Sequence, residues 1–426
     1  MAVQGQRTTK YDGAVLGGRI VRDVADGITN VESNMKNSES PGFTILKDKI
    51  GGTREVDNPK YEVTEDSFNT RRDNVATAGA SAAATTIPVQ NSFGNWVRAG
   101  SLFYVADTGE VILAGAVAST SLTSCVRNVG GAITGAGATT AEGDGLALTA
   151  ASQLIHIADT FPEGTYAPSA ISRQTNQSYN YTQIEKTTCD ISGTLENTKL
   201  YGEQEKAYQR WKAGVEHKRK IEFTLFFGAR SERQDTTSGH ARRTTAGLFQ
   251  HIKGNIHDIS GTGGVLTARE LEAWIEMLAE NPGSGVKHVF CSTKFHQAAS
   301  NILKNFVRID SAKKRLGFGM DEYESAGITL RFVPHRKVFG QNATLVGTAL
   351  AVDMDFVRYV YLKNRDTKFY EHIENIDNSN GYDGSKDLWQ TEYGFEIRGH
   401  ALDNPNIAAT NEFRSVHGKL TGFTTY

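Results

Sequence analysis

The chain has 426 residues, with 46 Lys and Arg against 48 Asp and Glu, giving a formal charge of −2. That balance, with a pI near 6.6, argues against a dedicated nucleic-acid binder, which carries a basic footprint. Glycine is abundant at 43 and proline scarce at 8, which excludes a collagen or Pro-rich linker and points to β-rich structure with flexible turns.

At about 150 residues per domain the length suggests two to three domains. No run approaches the roughly 20 apolar residues of a transmembrane helix, and Met1–Lys10 lacks the apolar core of a signal peptide. Cys125, Cys189 and Cys291 stand far apart with no CxxC spacing, so neither a disulfide framework nor a cysteine zinc site is expected. The expectation is a chain made in a reducing cytoplasm, with no membrane partner.

Residues 1–40 carry mixed charge and one aromatic, Tyr11, too little for a core; the expectation is an arm lying on neighbouring subunits. From Phe43 to Phe68 the chain is polar, with strand-like alternation only near Tyr61 and Val63 and turn signals at Gly51-Gly52 and Asn58-Pro59. Between Asn74 and Ala158 the charged residues are only Arg98, Asp107, Glu110, Arg127, Glu142 and Asp144. Short β-like runs at Trp96–Val97, Ser101–Val105, Glu110–Leu113, Ser121–Val126 and Leu154–Ile157, with a hairpin turn at Asp107-Thr108-Gly109, predict a compact inserted β domain. Polar extended character returns from 165 to 194, so 43–68 and 165–194 read as two halves of one long polar hairpin.

A long helix is predicted from about Glu203 to Gly228. Ala207, Trp211, Gly214, Lys218, Ile221 and Leu225 fall on one face by their 4-3-4-3-4 spacing, and the small Gly214 and long Lys218 in that stripe suggest packing on a sheet edge rather than in a closed bundle. Thr267-Ala268-Arg269-Glu270 is a capping box ahead of Leu271, Trp274, Ile275 and Leu278, and Asn281-Pro282-Gly283 ends that helix. Strand Lys287–Cys291 leads into a helix capped near Ser292 or Thr293 and carrying Phe295, Ala299, Ile302, Leu303 and Phe306. Strands are expected at Ile328–Val333, Thr344–Asp353, Phe356–Leu362 and, with long alternation, Trp389 to Ile397. The fold class is α+β.

Motifs for chemistry are missing. There is no GxxxxGK[ST], HExxH or GxSxG, and Gly135-Ala136-Gly137 fails the dinucleotide fingerprint. His251, His257 and Asp258 match no metal-site spacing, and Asp377–Gly381 lacks the central Gly of a calcium loop. No catalytic residue, metal ligand or cofactor is expected, and the chain reads as no enzyme. Charge, however, is segregated: 210–243 is net +5 and 353–403 net −5. One account is a solvated helix face and an unrelated acidic loop; the other is complementary faces meeting across subunits.

Local strings carry a resemblance: Asn180-Tyr181-Thr182-Gln183-Ile184, Ile191-Ser192-Gly193-Thr194, Glu216-His217-Lys218-Arg219-Lys220-Ile221-Glu222, Leu225-Phe226-Phe227-Gly228, Arg243-Thr244-Thr245-Ala246-Gly247-Leu248 and His417-Gly418-Lys419-Leu420-Thr421-Gly422. In their order the chain resembles the major capsid proteins of tailed double-stranded DNA bacteriophages, the Hong Kong 97-type fold, in a subgroup with a β insertion in the extended loop. The resemblance implies an N-terminal arm at 1–40, an extended loop at 41–72 and 161–195, and an inserted β domain at 73–160. It further implies a peripheral domain with a spine helix at 196–262 and 346–403, an axial domain at 263–345, and a C-terminal segment at 404–426. It implies hexamers and pentamers closing an icosahedral head around the genome, assembled in the host cytoplasm. Scaffolding protein, portal, a decoration protein and packaged DNA held without sequence-specific binding are the implied partners. In that fold the stretch after the spine helix lies where subunits meet, which makes Arg230, Arg233, Arg242 and Arg243 candidate inter-subunit contacts. The other readings are a same-fold nanocompartment shell and a β-rich adhesin or carbohydrate-binding protein.

Overall fold

The structure, a computed structural model, describes residues 40–48, 52–65, 71–90, 93–131, 141–150, 152–171, 175–197, 205–303, 321–340, 342–375, 382–399 and 415–424. Residues 1–39 of the expected arm, Phe306 and the turn at Asp377–Gly381 lie outside the described residues.

The long helix runs Glu205–Phe227 and lies across a five-stranded sheet. The central strand, Gly384–Ile397, is paired antiparallel with Gln183–Ser192 on one side, and Val357–Leu362 and Lys368–Asn375 share the other. Thr53–Val56 adds a parallel strand beside Val357–Leu362. The helix face differs from the predicted stripe: Ala207 and Lys218 are exposed, whereas Ala213, His217, Ile221, Glu222, Leu225 and Phe226 are buried. Polar groups occupy the buried face because the sheet supplies matching partners. Arg210 donates to Asp387 at 2.6 Å, and His217 bridges Thr391 at 2.7 Å and Thr187 at 3.0 Å. Gly214 admits the Trp389 ring, which an added Cβ would meet at 3.3 Å.

The stretch after Ser40 is a second departure. The sequence reads as extended there, but Pro41–Asp48 is a helix with Phe43, Ile45 and Leu46 buried. Its first N–H groups have no local acceptor; the Glu222 carboxylate of the long helix takes Gly42 N at 2.9 Å and Phe43 N at 2.7 Å, a distant cap of the kind a helix N-terminus favours. His335 Nε2 lies 3.0 Å from the same carboxylate. Phe43, Leu46, Ile221, Leu225, Phe226, Tyr359, Tyr393 and Phe395 build the first core.

A six-stranded sheet carries the second core. Its order is Ile256–Asp258, Gly418–Thr421, Ala349–Val352, Val286–Cys291, Ile328–Pro334, Asp321–Ser325, so this lobe draws on segments beyond the 263–345 expected for it. Helix Ala268–Ala279 starts with half of the capping box, Thr267 accepting from Glu270 N at 3.3 Å while the Glu270 carboxylate pairs with His257, and buries Leu271, Trp274, Ile275 and Leu278. Ser292 caps helix Thr293–Leu303 through Phe295 N at 3.0 Å. The strand expected over Thr344–Asp353 is shorter than predicted, because Asn342 caps a helical turn at Ala343–Val346 and the strand begins at Ala349.

Lys60–Glu65 pairs antiparallel with Asn176–Tyr181, and the Tyr61 hydroxyl donates to Phe395 O at 2.8 Å. Between those strands sit a four-stranded and a three-stranded sheet built from 72–159. Trp96–Val97 forms no strand; a 3-10 turn at Phe93–Asn95 precedes it, with Phe93 packed edge-on against Phe103. Phe93, Phe103, Val105, Ile112, Leu122 and Leu154 form a separate third core.

Candidate subunit-contact surface

Ser231–Gln234 and Ala241–Thr244 form an antiparallel hairpin directly after the long helix. Its turn closes locally: Asp235 accepts from Ser238 N at 3.0 Å and Ser238 Oγ at 2.8 Å, and Gly239 takes the left-handed conformation at φ 71° that glycine adopts without strain. The Ser238 backbone and hydroxyl, then Arg242, hold the Asp235 carboxyl below the usual carboxylate range.

The register sets the charges. Glu232 stands opposite Arg243, which donates to it at 2.7 Å. Arg233 stands opposite Arg242, a like-charge pair that is unfavourable by itself. Arg242 reaches Asp235 at 3.7 Å with its side chain largely in solvent. Exposed pairs of this kind contribute about 0–1 kcal/mol, so three guanidinium groups share a hairpin that only weakly satisfies them. Arg230 differs. Its guanidinium lies 3.9 Å from the centre of the Tyr179 ring and donates to Tyr179 O at 2.8 Å, while Lys60 approaches that ring at 4.5 Å. Arg230 thus ties the extended hairpin to its own chain, and Arg233, Arg242 and Arg243 form the projecting surface. Tyr179 reads from the sequence only as part of the polar extended segment, since its position beside Arg230 depends on the 60–65 and 176–181 pairing.

The two oppositely charged segments already meet within one chain. Arg210 contacts Asp387 and, at 3.3 Å, Glu371.

Several other ionisable clusters among the described residues are satisfied within the chain. Lys287 Nζ lies 2.9 Å from Asp353 Oδ2 and 2.8 Å from Pro282 O, both side chains fully buried. Burial alone would raise the Asp353 carboxyl, but Ser284 N–H and Lys287 overcome it and hold it low. His417 accepts from Asp353 N at Nδ1, 3.1 Å, and its Nε2 faces Arg398 O at 2.8 Å. Burial pushes its pKa down to about 4, and the neutral tautomer already uses both nitrogens. His257 pairs with Glu270 at 2.7 Å, and Asp258 accepts from Ser260 N; His251 is buried in a separate helical turn. Among the described residues no three His, Cys, Asp or Glu side chains gather as a metal site requires, and no helix is long and apolar enough to cross a membrane.

Among the described residues the α+β chain has three main cores, with a cationic hairpin outside them. The chain belongs to the SU10 major capsid protein family, whose model matches residues 4–401; it is the major capsid protein of a phage virion. It is 25% identical over 348 residues to a major capsid protein of Pseudomonas phage PaMx41, covering 80% of this chain and 77% of that one. Among solved structures, the capsid of the native GTA particle overlaps at 9% identity and TM-score 0.45, over 97% of this chain and 99% of that one. The SrpI encapsulin complex of Synechococcus elongatus PCC 7942 overlaps at 11% identity and TM-score 0.37, over 59% and 78%.

Proposed function

We propose that the chain adopts the Hong Kong 97-type arrangement and assembles into hexamers and pentamers that close an icosahedral head around the double-stranded DNA of a tailed phage. The observation that carries this reading is the Ser231–Thr244 hairpin: two short strands with no core of their own and outward arginines. A lone two-stranded hairpin is at best marginally stable in water, so its natural completion is a neighbouring subunit. Contacts that are modest singly multiply across a closed lattice. The net charge of −2 suits a shell around DNA, because each phosphate neutralised by protein would add salt-dependent affinity opposing genome release.

On this reading the domain boundaries are those stated from the sequence, except that the axial lobe also takes in strands from 256–258, 349–352 and 418–421; assembly takes place in the host cytoplasm with scaffolding protein and portal, a decoration protein binds outside, and the chain catalyses nothing. Co-expression with a scaffolding protein, followed by negative-stain imaging and nuclease-protection of the contents, tests it. Closed shells that package DNA in the phage background support the reading. Closed shells that hold only protein cargo would instead favour a nanocompartment, and soluble glycan-binding monomers an adhesin.

A further inference from the structure

The extended hairpin, Lys60–Glu65 with Asn176–Tyr181, is joined to the five-stranded sheet by a short row of side-chain contacts. Most are amide or phenol contacts, which do not titrate near neutral pH. Tyr61 and Asn180 both donate to Phe395 O at 2.8 Å, and Asn180 Oδ1 accepts from Ala246 N at 2.9 Å. The contact at the end of the first hairpin strand is ionisable: Glu65 Oε1 accepts from Gly399 N at 2.7 Å. Its other oxygen, Oε2, is buried and has no hydrogen-bond partner among the described residues. A carboxylate with one oxygen shut off from both water and donors lacks half of the compensation that burial requires. The charges around it do not make up the difference. Glu396 is a second carboxylate beside it, and Glu396 already engages both nearby guanidinium groups, Arg54 and, at 2.6 Å through Nε, Arg398. His417 presents Nε2 to Arg398 O, and its pKa of about 4 leaves it neutral there. On the hairpin itself Lys60 is paired with Glu62 at 2.9 Å.

We propose that Glu65 is a proton-operated latch on the extended hairpin: the neutral carboxylic acid holds the hairpin end against Gly399, and the carboxylate weakens that hold. Burial, with Glu396 adding to it, raises the Glu65 carboxyl above its ordinary range, against the opposing pull of the Gly399 N–H and Arg398. A group whose pKa is raised on folding favours the folded arrangement in its protonated form. The latch is therefore fully closed below the ordinary glutamate range and opens as pH rises through the folded value. Near neutral pH the hairpin is held by Tyr61 and Asn180, with Glu65 opposing them. Because a two-stranded hairpin is marginal by itself, these few contacts decide how firmly it lies on the sheet. The inference concerns contacts within one chain and does not depend on the shell reading.

Hydrogen exchange of the full-length, unassembled chain, followed by mass spectrometry, tests it. Protection factors of segments 60–65 and 176–181 report the opening of the hairpin. Taken as the ratio of wild type to Glu65→Gln at each pH, they separate the Glu65 titration from every other pH effect, because Gln has the shape of the acid and does not ionise. The ratio should rise at least about threefold as pH falls from about 7.5 to about 5. At about pH 7.5 the Glu65→Gln hairpin should be the better protected of the two, since it carries no buried anion. A ratio that stays flat or falls toward acid overturns the proposal, as does a wild-type hairpin better protected than Glu65→Gln at about pH 7.5. If Glu65→Gln does not fold, Glu65→Leu takes its place in the ratio. Leu does not ionise either, so a rise toward acid supports the latch and a flat ratio overturns it.

Discussion

Glu110 and Arg127 are two of the six charged residues between Asn74 and Ala158, and the fold buries both against each other, with side chains 0% and 1% exposed. Arg127 Nη2 donates to Glu110 Oε2 at 2.8 Å and to Leu146 O at 2.6 Å, and Nη1 reaches Ser81 O at 3.1 Å. One guanidinium therefore pins three loops of the insertion, and Gly145 leaves it room: an added Cβ would stand 2.4 Å from the Arg127 guanidinium. Glu110→Gln leaves a buried cation without its counter-charge and should cost the insertion about 3–5 kcal/mol, measured by urea unfolding of the wild-type and variant chains. Joint replacement, Glu110→Leu with Arg127→Met, should cost much less, because no charge is left stranded. His417 gives a second expectation. Its folded pKa of about 4 lies below the ordinary histidine value near 6.5, so the neutral ring favours the folded state. That contribution is complete above about pH 6.5 and is lost as pH falls from there toward 4, amounting to about 2 kcal/mol by pH 5. Unfolding free energies at pH 7 and pH 5 should diverge less in His417→Gln than in wild type; an equal divergence would remove His417 from the account.

Among the elements, the insertion is the most self-contained. Its core of Phe93, Phe103, Val105, Ile112, Leu122 and Leu154 is separate from the other two, and the drop in charge density at Asn74 made it legible in the sequence. Replacing 76–158 with a short Gly linker should leave a soluble remainder with one cooperative thermal transition; an insoluble product without one would show that the insertion is needed by the rest. Helices with local caps were equally legible, since Thr267 and Ser292 satisfy N–H groups three residues on. The Pro41–Asp48 helix was not, because its cap is Glu222, 180 residues away. The long helix was placed correctly as an element, and Ile221 and Leu225 of its expected stripe lie in the core, but Ala207 and Lys218 are exposed while His217 and Glu222 are buried instead. Arg210, His217 and Glu222 look solvent-facing by composition, and only the sheet residues Asp387, Thr391 and the Gly42 and Phe43 N–H groups make their burial favourable. The arginine surface was legible as a charge cluster; that Arg230 leaves it for Tyr179 depends on a strand pairing far apart in sequence.

At the scale of the whole molecule, the account is that this chain is completed by its neighbours. Arg242→Ala with Arg243→Ala removes two exposed guanidinium groups whose own-chain pairs, with Asp235 and Glu232, contribute little to folding. Subunit unfolding should shift by less than about 1 kcal/mol, while assembly yield falls; raising ionic strength should reproduce the loss in wild type, because exposed charge contacts are screened within about 10 Å at 0.1 M salt. The measurement that bears most directly on the central claim is a cryo-electron-microscopy reconstruction of the assembled shell at side-chain resolution. The account predicts closed shells of this chain in which a guanidinium group of Arg233, Arg242 or Arg243 lies within 4 Å or so of a carboxylate on a neighbouring subunit, the usual ion-pair reach. A shell in which all three touch only solvent or their own chain would contradict it.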